Sequence, residues 1–346
     1  MQLNDILKFL KEYDGRPLNL MEVCGTHTAS IFENAIESLL SEKIHLISGP
    51  GCPVCVTVSA YVDRLCALAL DKNNVIVTFG DMIRVPGSKQ ALRDVRAQGA
   101  DVRMVYTPLE MLAMAQKEKE KTFIFAAVGF ETTTPVYALL LDEAVRKNIK
   151  NIKILSALKT MPNVIKKLCT QQNNIDGFLA PGHVAVLTGS NVFEQLAAQY
   201  SRPFAVSGFK AEEILASVYA LVKMQGTGKC VNLYKSVVRE SENEKARALV
   251  EKYFRPCTAA WRGIGMIENS GMILRDEYSN FDAGSENLTQ DSSFQKGCCC
   301  GEIITGRKRP TQCPLYKTIC TAENPMGSCM VSNEGTCFNY YMNDRG

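Results

Sequence analysis

The chain has 346 residues, 46% of them hydrophobic and 22% charged, with a formal net charge of +3. That is the balance of an ordinary globular protein able to build a large core without disulfide staples. The small charge, with no basic stripe carrying interleaved aromatics, argues against nucleic acid, and no apolar run approaches the roughly 18 residues of a membrane-spanning helix. The opening stretch, MQLNDILKFLKEYDG, reads as an amphipathic helix that lacks the apolar centre of a signal peptide, so a cytoplasmic location is expected. From residue 18 onward, short apolar runs alternate with helical patterns. Strands are predicted at 18–23, 43–48, 74–79, 101–106, 122–128, 151–156, 176–180 and 203–207, mostly apolar on both faces as in a buried parallel sheet. Helical patterns such as PVYALLLDEAVRKN and AEEILASVYALVKM lie between them, which predicts an α/β fold with mostly parallel sheets. We expect two sheets, with a break near 107–121. Residues 226–297 have weaker periodicity: one helix, ENEKARALVEKYF, then the glycine-punctuated WRGIGMIENSGMILR, then a polar linker, SENLTQDSS. The expected units are 1–115, 116–235 and a helical and loop-rich 236–346.

Polar, glycine-containing loops follow six of the strands: CGTHT (24–28), GPGCPVC (49–55), GDMIRVPG (80–87), GFETTTP (129–135), PGHV (181–184) and GFK (208–210). Ligands of open parallel sheets bind outside the carboxyl ends of the strands, where glycine lets backbone approach them closely. None of these loops has the spacing of a phosphate loop or a dinucleotide fingerprint. In CGTHT, Cys24 precedes a helix whose N-terminal dipole is expected to lower its thiol pKa. His27 lies three residues on, and the pair can share a borderline metal. His183 sits in a strand-end loop and can face the same site, whereas His45 lies inside a strand. The Cys52-x-x-Cys55 pair is compatible with a redox dithiol or with half of a zinc site.

Fourteen cysteines in a cytoplasmic chain favour metal or redox chemistry over a disulfide framework. Seven of them fall within 298–337. Cys298 or Cys300, with Cys313, Cys320 and Cys337, are thiolates drawn from dispersed loops with none of the tight knuckles of a zinc ribbon, a pattern that suits an iron–sulfur cluster. Spacing does not choose among Cys298, Cys299 and Cys300, and it leaves Cys329 spare. The run Arg307-Lys308-Arg309 reads as a solvated loop.

Together CGTHT, GPGCPVC, TFGDMIRVPGS, GFETTTP, PGHV, WRGIG, CCCGEI and CMVSNEGTC closely resemble the HypD family of [NiFe]-hydrogenase maturation proteins, over nearly the whole chain. The resemblance implies two Rossmann-like α/β domains plus a C-terminal domain holding a [4Fe-4S] cluster. It implies a scaffold that works with a HypC-type chaperone on an Fe(CN)2CO unit. Cyanide would come from HypE, charged by HypF, and the finished unit would go to the hydrogenase large subunit. By motif, Cys24 would be the iron-binding thiol with His27 close by, and Cys52 and Cys55 the redox-active dithiol. Glu131, Thr132, Thr133 and His183 would line the same cleft. Lys210 stands where the family is expected to carry an acid, and the triple cysteine is richer than the expected pattern. Two other classes fit parts of the pattern: a cluster-dependent disulfide reductase, and a structural zinc protein serving as an interaction platform.

Overall fold

A computed structural model describes residues 2–171, 174–292 and 295–343. In chain order the strands are β1 (Leu18–Glu22), β2 (Ile44–Ser48), β3 (Asn74–Thr78), β4 (Val102–Met104), β5 (Thr122–Gly129), β6 (Ile152–Lys159), β7 (Gly177–Pro181), β8 (Phe204–Ser207), β9 (Cys230–Asn232), β10 (Phe254–Trp261) and β11 (Gly265–Leu274). All eight predicted strands are present, and they form two sheets. The first, in the order β2-β1-β7-β8-β9, is wholly parallel; the second runs β10-β11-β6-β5-β3-β4. Within the second, β3 to β6 are parallel, and the β10–β11 hairpin is added antiparallel to β6.

The two sheets do not follow the expected contiguous units. The first draws its strands from residues 18–48 and 177–232, and the second from 74–159 and 254–274, so a cut at 115 passes through the second sheet. The chain crosses from one sheet to the other and back because β7 seats itself beside β1, with Leu20 opposite Gly177. The glycine-punctuated stretch expected as part of a loop-rich unit is the edge hairpin of the second sheet. Its period-2 signal is broken by an irregularity between Cys257 and Ala259, and by Gly265 at φ +92°.

Parallel strands covered on both faces are apolar throughout. All of β5 beyond Thr122 is buried, and the helix Thr134–Arg146 lays Tyr137, Leu140, Leu141 and Ala144 over its sheet. Tyr137 also anchors its hydroxyl on the Val128 carbonyl at 3.1 Å. In the first sheet Phe178 and Phe204 stack at 4.8 Å in a core that extends to Cys52, Cys55 and the tail cysteines. No helix among the described residues is long and apolar enough to cross a membrane. The tail after residue 295 has little regular structure beyond the helix Thr336–Asn343, which packs Tyr340 on Phe32 at 4.6 Å.

Phe178 is fully enclosed, so Phe178→Ala removes a ring from a site with little room to collapse. Urea unfolding should show a loss of about 3–5 kcal/mol with an unchanged slope.

Candidate functional site

Four of the six loops leave the carboxyl edge of the first sheet, after β1, β2, β7 and β8. The other two, after β3 and β5, belong to the second sheet. The CGTHT and GPGCPVC loops meet backbone to backbone. The Gly25 N–H donates to the Gly51 carbonyl at 3.1 Å, and a side chain on Gly51 would stand 2.3 Å from the Cys24 nitrogen. Only glycine permits that approach. Cys24 caps the helix Gly25–Glu33 and is buried, its backbone N–H donating to Glu22 Oε2 at 2.9 Å. The other Glu22 oxygen accepts from the Thr28 hydroxyl. The tail closes over this turn. Thr26 Oγ1 donates to Glu334 at 3.1 Å, and a side chain on Gly25 would strike the Glu334 side chain.

These surroundings overturn the expected lowering of the Cys24 pKa. Burial pushes its thiol up to about 12, with the Glu334 and Glu22 carboxylates adding to the shift. The helix N-terminus does not outweigh desolvation among acids. Glu22 itself is pushed up to about 7 by burial.

His27 has no exposed surface, and its Nε2 lies 2.9 Å from the Gly208 carbonyl. A carbonyl only accepts, so Nε2 carries the proton and Nδ1 keeps a free lone pair. Among the described residues Nδ1 is buried without a partner. Burial holds the ring pKa down to about 4, so the imidazole is neutral at physiological pH. A ring nitrogen donating to a backbone carbonyl while the other stays open is the arrangement of metal-binding histidines. Phe209 joins His27 to His183, its ring centroid 4.8 Å from the first and 3.9 Å from the second. Lys210 is exposed at the start of the helix Ala211–Lys223, outside this cluster.

Cys52 and Cys55 are buried as free thiols, and the Cys55 N–H points at Cys52 Sγ, 3.2 Å away. Burial, then the neighbouring Cys52, holds the Cys55 thiol well above the ordinary cysteine range. Ser328 from the tail bridges outward from this pair. Its hydroxyl donates to the Cys55 carbonyl at 2.9 Å and lies 3.6 Å from Cys300 Sγ.

Beyond Ser328 is a narrow cleft ringed by Cys298, Cys300, Cys313, Cys320, Cys329 and Cys337 against Ile303, Tyr316 and Met330. Gly327 is part of the cradle, since a side chain there would stand 2.9 Å from Cys298 Sγ. Cys299 points elsewhere, toward the Gly297 carbonyl and Lys308. Cys329, spare by spacing, lies 2.8 Å from Cys337, sulfur to sulfur. An all-thiol donor set with apolar walls fits an iron–sulfur cluster. Among the described residues no three His, Cys, Asp or Glu side chains are arranged around a single ion. A four-iron cluster takes one thiolate per iron and does not require such convergence.

The GFETTTP loop is placed differently. Glu131 Oε1 accepts from the Met161 N–H at 2.8 Å, at the start of the helix Met161–Thr170, and Oε2 is enclosed without a partner among the described residues. Burial raises its pKa to about 7. Thr132 is exposed and Thr133 caps the helix Thr134–Arg146. No hydrogen bond among the described residues joins these three to Cys24, Cys52 or Cys55. The loop reaches Cys52 and Cys55 through Phe130, which shares their apolar cluster and stacks on Trp261 at 5.8 Å. Sequence reasoning passed over Glu22, Phe209, Ser328 and Glu334. The last two lie in a stretch, SCMVSNEGTC, read only for its cysteines.

Fold and site together define an α/β protein whose strand-end thiols are closed over by a cysteine-rich tail. The sequence model described as "Hydrogenase formation hypA family" matches residues 2–344, and the chain belongs to this HypD family. It is 39% identical over 328 residues to a putative hydrogenase expression/formation protein of Methanocaldococcus jannaschii, covering 94% of this chain and 91% of the relative. It is 37% identical over 334 residues to hydrogenase maturation factor HypD of Escherichia coli, covering 94% and 89%. Against the factor of that name from Cupriavidus necator the identity is 36% over 341 residues, covering 94% and 90%.

Two outcomes follow from this geometry. Gly51→Ala forces the two loops apart; it should cost about 1–3 kcal/mol in urea unfolding and speed the labelling of Cys24 by a thiol reagent. Glu131 gives a pH dependence. Between pH 4.5 and about 7 Glu131 keeps in the folded chain a proton that it has released in the unfolded chain, so its contribution to stability falls as pH rises through that window. Glu131→Gln should flatten part of that fall, by on the order of 1–3 kcal/mol, when unfolding is compared at about pH 5 and pH 7. Glu22 and Glu334, also raised by burial, act with the same sign, while His27, held low by burial, acts with the opposite sign.

Proposed function

We propose that this hydrogenase-maturation protein is the scaffold on which the Fe(CN)2CO unit is assembled, working with a HypC-type chaperone and taking cyanide from HypE, which HypF charges. The observation that carries the reading is His27: a buried, neutral imidazole with one nitrogen fixed on the Gly208 carbonyl and the other free, three residues from a buried thiol. As a substrate, the iron would be held by Cys24 as thiolate and by His27 Nδ1, the thiol proton leaving on binding. Two donors do not complete a coordination sphere, so the remaining positions are open to the chaperone and to the incoming diatomic ligands. Cyanide and carbon monoxide are strong-field ligands that hold ferrous iron low-spin, and a thiolate can occupy another position on it.

Releasing cyanide from a thiocyanate on a partner consumes two electrons and leaves a thiolate and a cyanide ion. Oxidation of the Cys52–Cys55 dithiol to its disulfide yields two electrons and two protons. A [4Fe-4S] cluster held in the tail cleft would relay electrons one at a time from an external one-electron donor, two of them with two protons restoring the dithiol. Cys298 or Cys300, with Cys313, Cys320, Cys337 or Cys329, would hold it, and Ser328 fixes the Cys55 backbone beside Cys300. The finished unit would pass through the chaperone to the hydrogenase large subunit.

The test is anaerobic co-purification with the chaperone. Wild type should show infrared bands of cyanide and carbonyl. Cys24→Ala should lose them while keeping the iron and sulfide of the tail. A wild-type complex with the cluster but without such bands would instead favour a cluster-dependent disulfide reductase.

A further inference from the structure

Among the described residues, one buried cation away from the thiol loops has no anion. Lys159, the last residue of β6, is 3% exposed. Its ammonium meets the face of Trp261, 5.7 Å from the ring centroid, and pairs with no carboxylate among those residues. The acids nearby are already engaged: Glu286 lies 3.7 Å from Arg255, and Asp291 lies 3.5 Å from Arg262. Asp291 acts on Lys159 only at longer range. A cation–π contact offsets a small part of the cost of burying an ammonium; a lowered pKa offsets more, and a paired anion would offset the rest.

The surrounding strands leave room for one. Lys159 is opposite Gly271 on β11, and Gly271 is opposite Cys257 on β10, so the amine and the thiol project from one face on either side of a residue without a side chain. Cys257 Sγ leans over Gly271, 2.9 Å from where its Cβ would be. Lys159 lines a cavity of about 490 Å³ with Ser156, Arg255, Cys257, the exposed Glu286 that faces Arg255 and, at its mouth, the exposed Asn269 and Asn287. That volume is in the range of small-molecule sites. The cavity also opens at the carboxyl end of a parallel strand, where such sites gather in α/β folds. Burial lowers the Lys159 pKa to about 8, which leaves the amine mostly protonated at neutral pH.

We propose that this cavity binds an organic oxyanion, a carboxylate or a phosphate monoester, whose oxygens accept from Lys159 Nζ. The site is separate from the thiol loops and uses none of the residues placed in iron or cyanide handling.

Isothermal titration of the full chain with succinate, glycerol 3-phosphate and inorganic phosphate, at constant ionic strength, tests it. Saturable binding of one equivalent is expected for succinate or for glycerol 3-phosphate, and which of the two binds decides between carboxylate and phosphate. Lys159→Met should weaken that binding about 10- to 100-fold and Lys159→Arg should weaken it less. Should Lys159→Met fail to fold, acetic anhydride footprinting of wild type gives the answer: the bound anion should protect Lys159 from acetylation. No saturable binding of any of the three, binding undiminished in Lys159→Met, or a Lys159 acetylated equally with and without the anion would overturn the proposal.

Discussion

The contact on which the rest of the site depends is between two pieces of backbone. Gly51 lies against the Cys24 amide, and the Gly25 N–H reaches the Gly51 carbonyl. With no side chain between them, the loops after β1 and β2 act as one surface. The tail reads that surface from above, through Glu334 on Thr26 and Ser328 on Cys55. Cys24, Cys52 and Cys55 are therefore positioned by main-chain geometry first and by side-chain contacts second. Placing reactive groups on close-packed backbone at strand ends makes the arrangement stiff without making it large.

Burial then sets the chemistry. Around Cys24 and His27 it works in opposite directions on charge, keeping the thiol protonated and the imidazole neutral, so the apolar interior holds neither ion until something binds. A thiol held protonated in this way can bind a cation only in exchange for its proton. Glu22 and Glu334 belong to the same proton balance, since each is held above the ordinary carboxylate range by its enclosure.

Much of the fold was legible in the sequence because buried parallel strands are written as uninterrupted runs of Val, Ile and Phe. The segments NVIVT and TFIFAAVG need no partner to be recognised. The edge hairpin 254–274 was not, because an edge strand alternates exposed and buried residues and here contains a bulge and glycines. Nor was the pairing of β1 with β7, since apolar strands carry no label naming their neighbours. For the site, Cys24, His27, Cys52 and Cys55 stood out by spacing. What spacing hid was the direction in which each side chain points. Cys299 sits in a run of three cysteines yet faces Lys308, and Glu131 sits in a conspicuous motif yet caps a helix. Phe209, the ring that ties His27 to His183, had no chemical signature at all.

The interleaving of the two sheets has a consequence for how the chain is made. On the ribosome β1 and β2 emerge first, but the inner edge of β1 has no neighbour until β7 is released, more than a hundred residues later. Through that interval the second sheet acquires β3 to β6, while the loop bearing Cys24 rests on a two-stranded ribbon too small to be stable alone. The cysteine-rich tail arrives last. Nascent chains thus leave Cys52 and Cys55 without their core until the segment from Met161 to Phe204 is made, and the tail closes over them and over the Cys24 turn last.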